Sequence, residues 1–77
     1  MYQQNQNIIG DDSMTLIDMM YNSEGKNIKV FFKDGSVEEL YCEEYIQAED
    51  EWDEPMLFYG GNGVILQSQI EKIEILD

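Results

Sequence analysis

Residues 26–45, KNIKVFFKDGSVEELYCEEY, decide how this chain reads. Ile28, Val30 and Phe32 alternate with Lys29, Phe31 and Lys33, which is the period of a strand with one buried face. Asp34-Gly35 supplies a two-residue turn that needs positive φ at both central positions. Val37 restarts the apolar pattern, and Leu40 and Cys42 continue it. The stretch therefore predicts a β-hairpin, with a first strand over about 27–33 and a second from 36 to Gln47. Every other segment is short and needs this ribbon to pack against.

Working outward, the second strand contains two acidic doublets, Glu38-Glu39 and Glu43-Glu44. Strict alternation would turn one carboxylate of each doublet inward. A β-bulge at each doublet avoids this and bends the strand. On the N-terminal side, Met14, Ile17, Met20 and Tyr21 fall at helical spacing, with Leu16 beside them. Asp11, Asp12 and Ser13 are N-cap candidates, and Asn22 and Gly25 are stop signals. A short amphipathic helix is expected over 12–22, with a strand over MTLIDMMY as the competing reading. Residues 1–10, polar and rich in Gln and Asn, read as a flexible tail in which Ile8 and Ile9 touch the core. On the C-terminal side, AEDEWDEP is a turn-rich acidic loop ended by Pro55. Strands follow over 56–59, 64–67 and 70–76. Gly60–Gly63 makes a second hairpin turn, and Ser68-Gln69 a tight turn of 3₁₀ type. In the last strand Ile73 and Ile75 face inward and Glu74 outward. Residues 11–77 are expected to form one small domain.

Charge is the outlying property. Seventeen acids against four lysines give −13, with no histidine, in 77 residues. A small domain commonly meets its solubility need with a net charge of about 2–8 in magnitude. The excess repels nucleic acid and anionic lipid and attracts basic surfaces. The chain has no run of roughly 18 apolar residues, and MYQQNQNIIG has neither a basic nor an apolar signal-peptide region. One cysteine, Cys42, forms no internal disulfide, so a reducing, cytoplasmic setting is expected.

Catalytic constellations are missing. Without histidine, Ser13, Ser23, Ser36 and Ser68 lack a base, and an inward Cys42 among carboxylates stays a thiol. Gly60–Gly63 lacks the Lys-Ser/Thr of a phosphate-binding loop. Zinc would need thiols or imidazoles, and Glu49, Asp50, Glu51, Asp53 and Glu54 do not match a calcium-loop pattern. The expectation is a non-enzyme without catalytic residues, cofactor or dedicated metal site. Weak cation binding is the lowest-ranked alternative function.

What remains is the stretch 38–54, with nine acids and no base, and with Tyr41, Tyr45 and Trp52 set among them. Alternate outward carboxylates on a strand lie about 6.8 Å apart. Phosphates of one DNA strand advance roughly 3.4 Å each. The row is comparable in charge density to a nucleic-acid backbone, within a factor of about two. The plain structural alternative is a solvated edge blunted by charge. Glu43, Glu44, Glu49, Asp50, Glu51, Asp53 and Glu54 are the expected partner-binding residues, with Trp52 as apolar anchor. The alternative for Trp52 is that it folds back over the domain.

Two resemblances add to this reading. Val30-x-Phe32-x-Asp34-Gly35-x-Val37 and Tyr59-Gly60-Gly61-Asn62-Gly63-Val64-Ile65, followed by Ile70-x-x-Ile73-x-Ile75, resemble the Sm-like pattern over residues 12–76. That resemblance implies a mainly β (α+β) fold: a five-stranded SH3-like or Sm-like barrel, or a strongly bent antiparallel sheet, after one short helix. Gly60 stands where the family usually has Arg, Leu40 where it has Gly, and Ile46 where it has Asp. These departures fall on positions tied to RNA contact, so the resemblance bears on fold more than on activity. In size and charge the chain is similar to phage-encoded DNA mimics, including anti-CRISPR and anti-restriction proteins. That similarity implies a basic protein partner, a Cas nuclease first among them, with no direct binding of nucleic acid and no membrane. The second functional reading is a housekeeping Sm-like or SH3-like module that binds RNA or assembles into a ring. The oligomeric state is left open.

Overall fold

Lys26–Phe32 (β1) and Val37–Ile46 (β2) form the expected hairpin in the computed structural model, which describes residues 15–77. The tail over 1–10, with Ile8 and Ile9, and the helix start at Asp11, Asp12, Ser13 and Met14 lie outside the described residues. The turn between β1 and β2 is longer than the two residues expected. Gly35 N donates to the Phe32 carbonyl at 3.0 Å, and Phe32 N donates to the Ser36 carbonyl at 2.9 Å. Gly35 takes φ 94° in the left-handed region, as in three-residue hairpin loops. The cause is Asp34, whose carboxylate accepts from Ser36 N at 2.8 Å and Ser36 Oγ at 2.6 Å. That local ring draws Ser36 into the turn.

Met56–Tyr59 (β3), Gly63–Leu66 (β4) and Ile70–Ile75 (β5) complete a five-stranded antiparallel sheet of order β4-β3-β2-β1-β5. Gln67–Gln69 is a 3₁₀ turn between β4 and β5. Among the described residues β4 and β5 do not pair, so the sheet is open and not closed into a barrel. β2 serves two partners in succession. Val37–Cys42 pair with β1, and Cys42–Ile46 pair with β3, so Cys42 alone faces both, opposite Lys26 and Tyr59.

Only one of the two expected bulges in β2 forms. Register shifts between Cys42 and Glu44, but it runs unbroken through Glu38 and Glu39, opposite Val30 and Lys29. Glu38 shares the inner face with Val30 and still stays exposed, because β3 pairs with β2 only from Cys42 onward and leaves this end of β2 an open edge. Val37 is also exposed, on the outer face opposite Phe31. A further irregularity lies between Phe31 and Phe32, where β1 pairs with β5.

The helix Leu16–Ser23 (α1) begins at Thr15. Thr15 Oγ1 accepts from Asp18 N at 3.1 Å, and Asp18 Oδ2 accepts from Thr15 N at 3.2 Å, a reciprocal capping box. The inward face is Leu16, Met19, Met20 and Ser23, not Ile17 and Tyr21, which are exposed. The buried Ser23 hydroxyl donates to the Met19 carbonyl at 2.6 Å, which satisfies it. The core consists of Met20, Ile28, Val30, Cys42, Leu57, Ile65, Ile70 and Ile73. Leu16, Met19, Phe32, Leu40, Tyr45, Tyr59 and Ile75 pack around it. No described helix is long and apolar enough to cross a membrane.

Candidate functional site

β2 and the loop that follows it carry the acidic stretch. Ile46 and Met56 pair with each other, so residues 47–55 leave and re-enter the sheet at one rung. The loop is held by its own acids. Asp50 Oδ1 accepts from Trp52 N at 2.9 Å, and Asp53 Oδ1 accepts from Glu54 N at 2.9 Å. Asp53 N donates to the Asp50 carbonyl at 3.2 Å. The Asx turn at Asp50 and the backbone bond from Asp53 favour a turn over a continued strand. They leave Trp52 at the tip, 88% exposed, so it does not fold back over the domain.

The eight expected partner-binding residues separate into two groups. Glu49, Asp50, Glu51, Trp52 and Asp53 are exposed together on the loop, and Glu44 is exposed on β2. Glu43 and Glu54 carry structural work. Glu43, in the bulge, accepts from Gly61 N at 3.1 Å and ties the β3–β4 turn to β2. Glu54 accepts from Ser68 N at 2.7 Å and Ser68 Oγ at 3.2 Å, which anchors the 3₁₀ turn. Of the other aromatics in the stretch, Tyr41 is half exposed and Tyr45 packs on the core. Tyr45 also meets Tyr21 edge-on, with centroids 5.8 Å apart.

The positive charge lies elsewhere. Lys26, Lys29, Lys33 and Lys72 sit on β1, its turn and β5. Lys72 Nζ lies 4.7 Å and Lys29 Nζ 5.5 Å from the Phe31 ring. The one ion pair among the described residues joins Lys72 and Glu74 at 3.5 Å. No base therefore offsets the loop, and its field is undiluted. Among the described residues no three carboxylates or thiols converge as metal ligands. Cys42 is fully buried; burial first, then Glu24 and Glu43, push its thiol above the ordinary range, and it donates to the Glu44 carbonyl at 3.6 Å.

One surface was missed in the sequence. Leu57 and Ile65 face the core, so Met56, Phe58, Val64 and Leu66 face the other way. Ile46 joins them opposite Met56, and Glu44 stands opposite Phe58. The signal was present in MLFY and VIL: runs that are apolar without alternation mark strands whose two faces are both suited to cover. Compared with protein-family models, curated proteins and solved structures, the chain matches none, so its reading rests on its own residues.

Proposed function

We propose that this chain is an acidic, non-enzymatic binding protein that occupies a basic nucleic-acid channel on a protein partner. The carrying observation is the loop of residues 49–53, in which four exposed carboxylates surround an 88% exposed Trp52 with no lysine near. A large exposed ring costs free energy in water and gains it against lysine or arginine side chains, by roughly 0.5–2 kcal/mol through cation–π contact. The carboxylates supply steering, salt sensitivity and rejection of nucleic acid. A Cas nuclease, whose guide and DNA channels are long and positive, is the first partner to test, as for anti-CRISPR proteins.

The test is inhibition of such nucleases with wild type, Trp52→Ala and a Glu49/Asp50/Glu51→Lys variant. Both variants keep their circular dichroism, and both lose inhibition, the second chiefly through a slower on-rate. A folded charge-reversed protein with full affinity for the same partner ends the mimicry reading. Gel shifts with single-stranded RNA and duplex DNA at about 100 mM salt stay blank.

The second reading, an Sm-like or SH3-like housekeeping module that binds RNA or assembles into a ring, draws support from the order of elements. A helix precedes a bent β2, a 3₁₀ turn joins β4 to β5, and both of those strands are sheet edges. A clear shift with RNA in the same gels favours it over mimicry.

A further inference from the structure

The β2–β3–β4 half of the sheet has an apolar outer face. Its rungs are Ile46–Met56–Leu66 and Glu44–Phe58–Val64. Phe58 and Val64 are 36% and 45% exposed, and Ile46, Met56 and Leu66 are half-buried. None of the five belongs to the core or packs on it, because α1 lies against the opposite face. Contiguous apolar surface rimmed by polar groups marks a place of association.

The rim decides what associates. Glu44 stands within the second rung, and the acidic loop springs from the Ile46–Met56 rung. No lysine lies on β3, β4 or the loop. A second copy laid face to face would bring two such rims together and meet like-charge repulsion. A segment with apolar side chains between lysines or arginines meets both the face and its rim.

We infer that the outer face of β2–β4 is a docking surface for a basic amphipathic protein segment, continuous with the acidic loop. This rests on the charge reading above and adds that the contact has an apolar centre on Phe58 and Val64. It commits to a protein ligand, because a nucleic-acid backbone meets only the wrong charge here.

The probes are two short synthetic peptides of equal charge, one alternating lysine with leucine and one alternating lysine with serine. Binding is followed by amide shift mapping of the full chain at physiological salt. The leucine peptide binds about tenfold more tightly, the worth of roughly one leucine side chain leaving water. Its shifts centre on residues 44–46, 56–58 and 64–66. Phe58→Thr with Val64→Thr abolishes the preference and leaves serine-peptide binding unchanged. Val64→Thr alone, a milder exposed change, reduces the preference if the double variant does not fold. Glu49/Asp50/Glu51→Lys weakens both peptides. Equal affinity for the two peptides overturns the inference and leaves the charge reading standing. Binding of neither overturns both. Concentration-dependent self-association through Phe58, or contacts from Ile8 or Ile9 to Phe58 in the free chain, assigns the face to another occupant and overturns the inference.

Discussion

Cys42 shows how much one side chain can tie together. Its carbonyl accepts from Gly25 N at 2.8 Å, it pairs with both neighbouring strands, and its thiol is fully buried. A thiol reagent at neutral pH should therefore label the native chain only as fast as it opens, and label the denatured chain at once. Labelling of the native chain at the denatured rate would contradict the packing. The raised thiol also sets a sign. The unfolded chain loses this proton first as pH rises past its ordinary value of 9.0, so stability falls on that alkaline limb. At the acid end, Asp34 is held below its ordinary 3.8 by the Ser36 hydroxyl and amide, and Asp77 by the Asn27 side chain and amide. Asp77 Oδ2 accepts from Asn27 N at 2.8 Å, and Oδ1 from Asn27 Nδ2 at 3.0 Å. Their contribution is present above 3.8 and is lost as pH falls through the lower folded values. Asp34→Asn and Asp77→Asn should flatten the acid limb of a stability–pH curve by lowering stability at neutral pH, where the charged carboxylates contribute, while leaving the acid extreme little changed. An unaltered limb in both would show that these bonds do not act in folding.

The elements differ in how openly the sequence announced them. Strands β1, β3 and β5 followed from alternation or flanking turns and lie within a residue of their expected bounds. The helix was anticipated, and of its expected apolar face Met20 and Leu16 turn inward while Ile17 and Tyr21 do not. Ile17 and Tyr21 fit the spacing as well as Met19 and Ser23 do, and only the sheet beneath selects between them. The bulge at Glu43 formed and the one at Glu38 did not, because an inner-face carboxylate is tolerated where nothing covers it. The charge of the loop was plain in AEDEWDEP, and so was its exposure. The structural work of Glu43 and Glu54 was not, since their partners Gly61 and Ser68 lie 18 and 14 residues away. Gly63 illustrates a constraint visible only in three dimensions. A Cβ there would come within 2.7 Å of the Tyr59 ring and 2.9 Å of the Tyr59 carbonyl oxygen. Gly63→Ala should cost about 1–3 kcal/mol in urea unfolding, as overpacking does. An unchanged midpoint would mean that the Tyr59 ring and backbone give way freely.

At the scale of the molecule, charge segregation is the governing property. Lysines gather on β1, its turn and β5, while every charged side chain of β2, β3, β4 and the loop is acidic. Nine acids within 38–54 repel one another in the compact state. Moderate salt should raise the melting temperature by screening, and divalent cations at equal ionic strength should add little more. A large, saturable, calcium-specific rise would point to the cation-binding alternative. The handover of β2 at Cys42 has a consequence in time. Below that rung lie β1, β5 and α1; above it lie β3 and β4, joined to the rest through the end of β2, the 3₁₀ turn into β5 and the core contacts of Leu57 and Ile65. The β3–β4 pair, two four-residue strands at one edge of the sheet, is the part placed to open first. Amide hydrogen exchange should resolve two classes, with Phe58 and Val64 released before Ile28 and Val30. The edge that opens first bears Phe58 and Val64 of the apolar face and receives the end of the acidic loop, so an arriving partner meets a surface able to adjust while β1, β5 and α1 keep the chain folded.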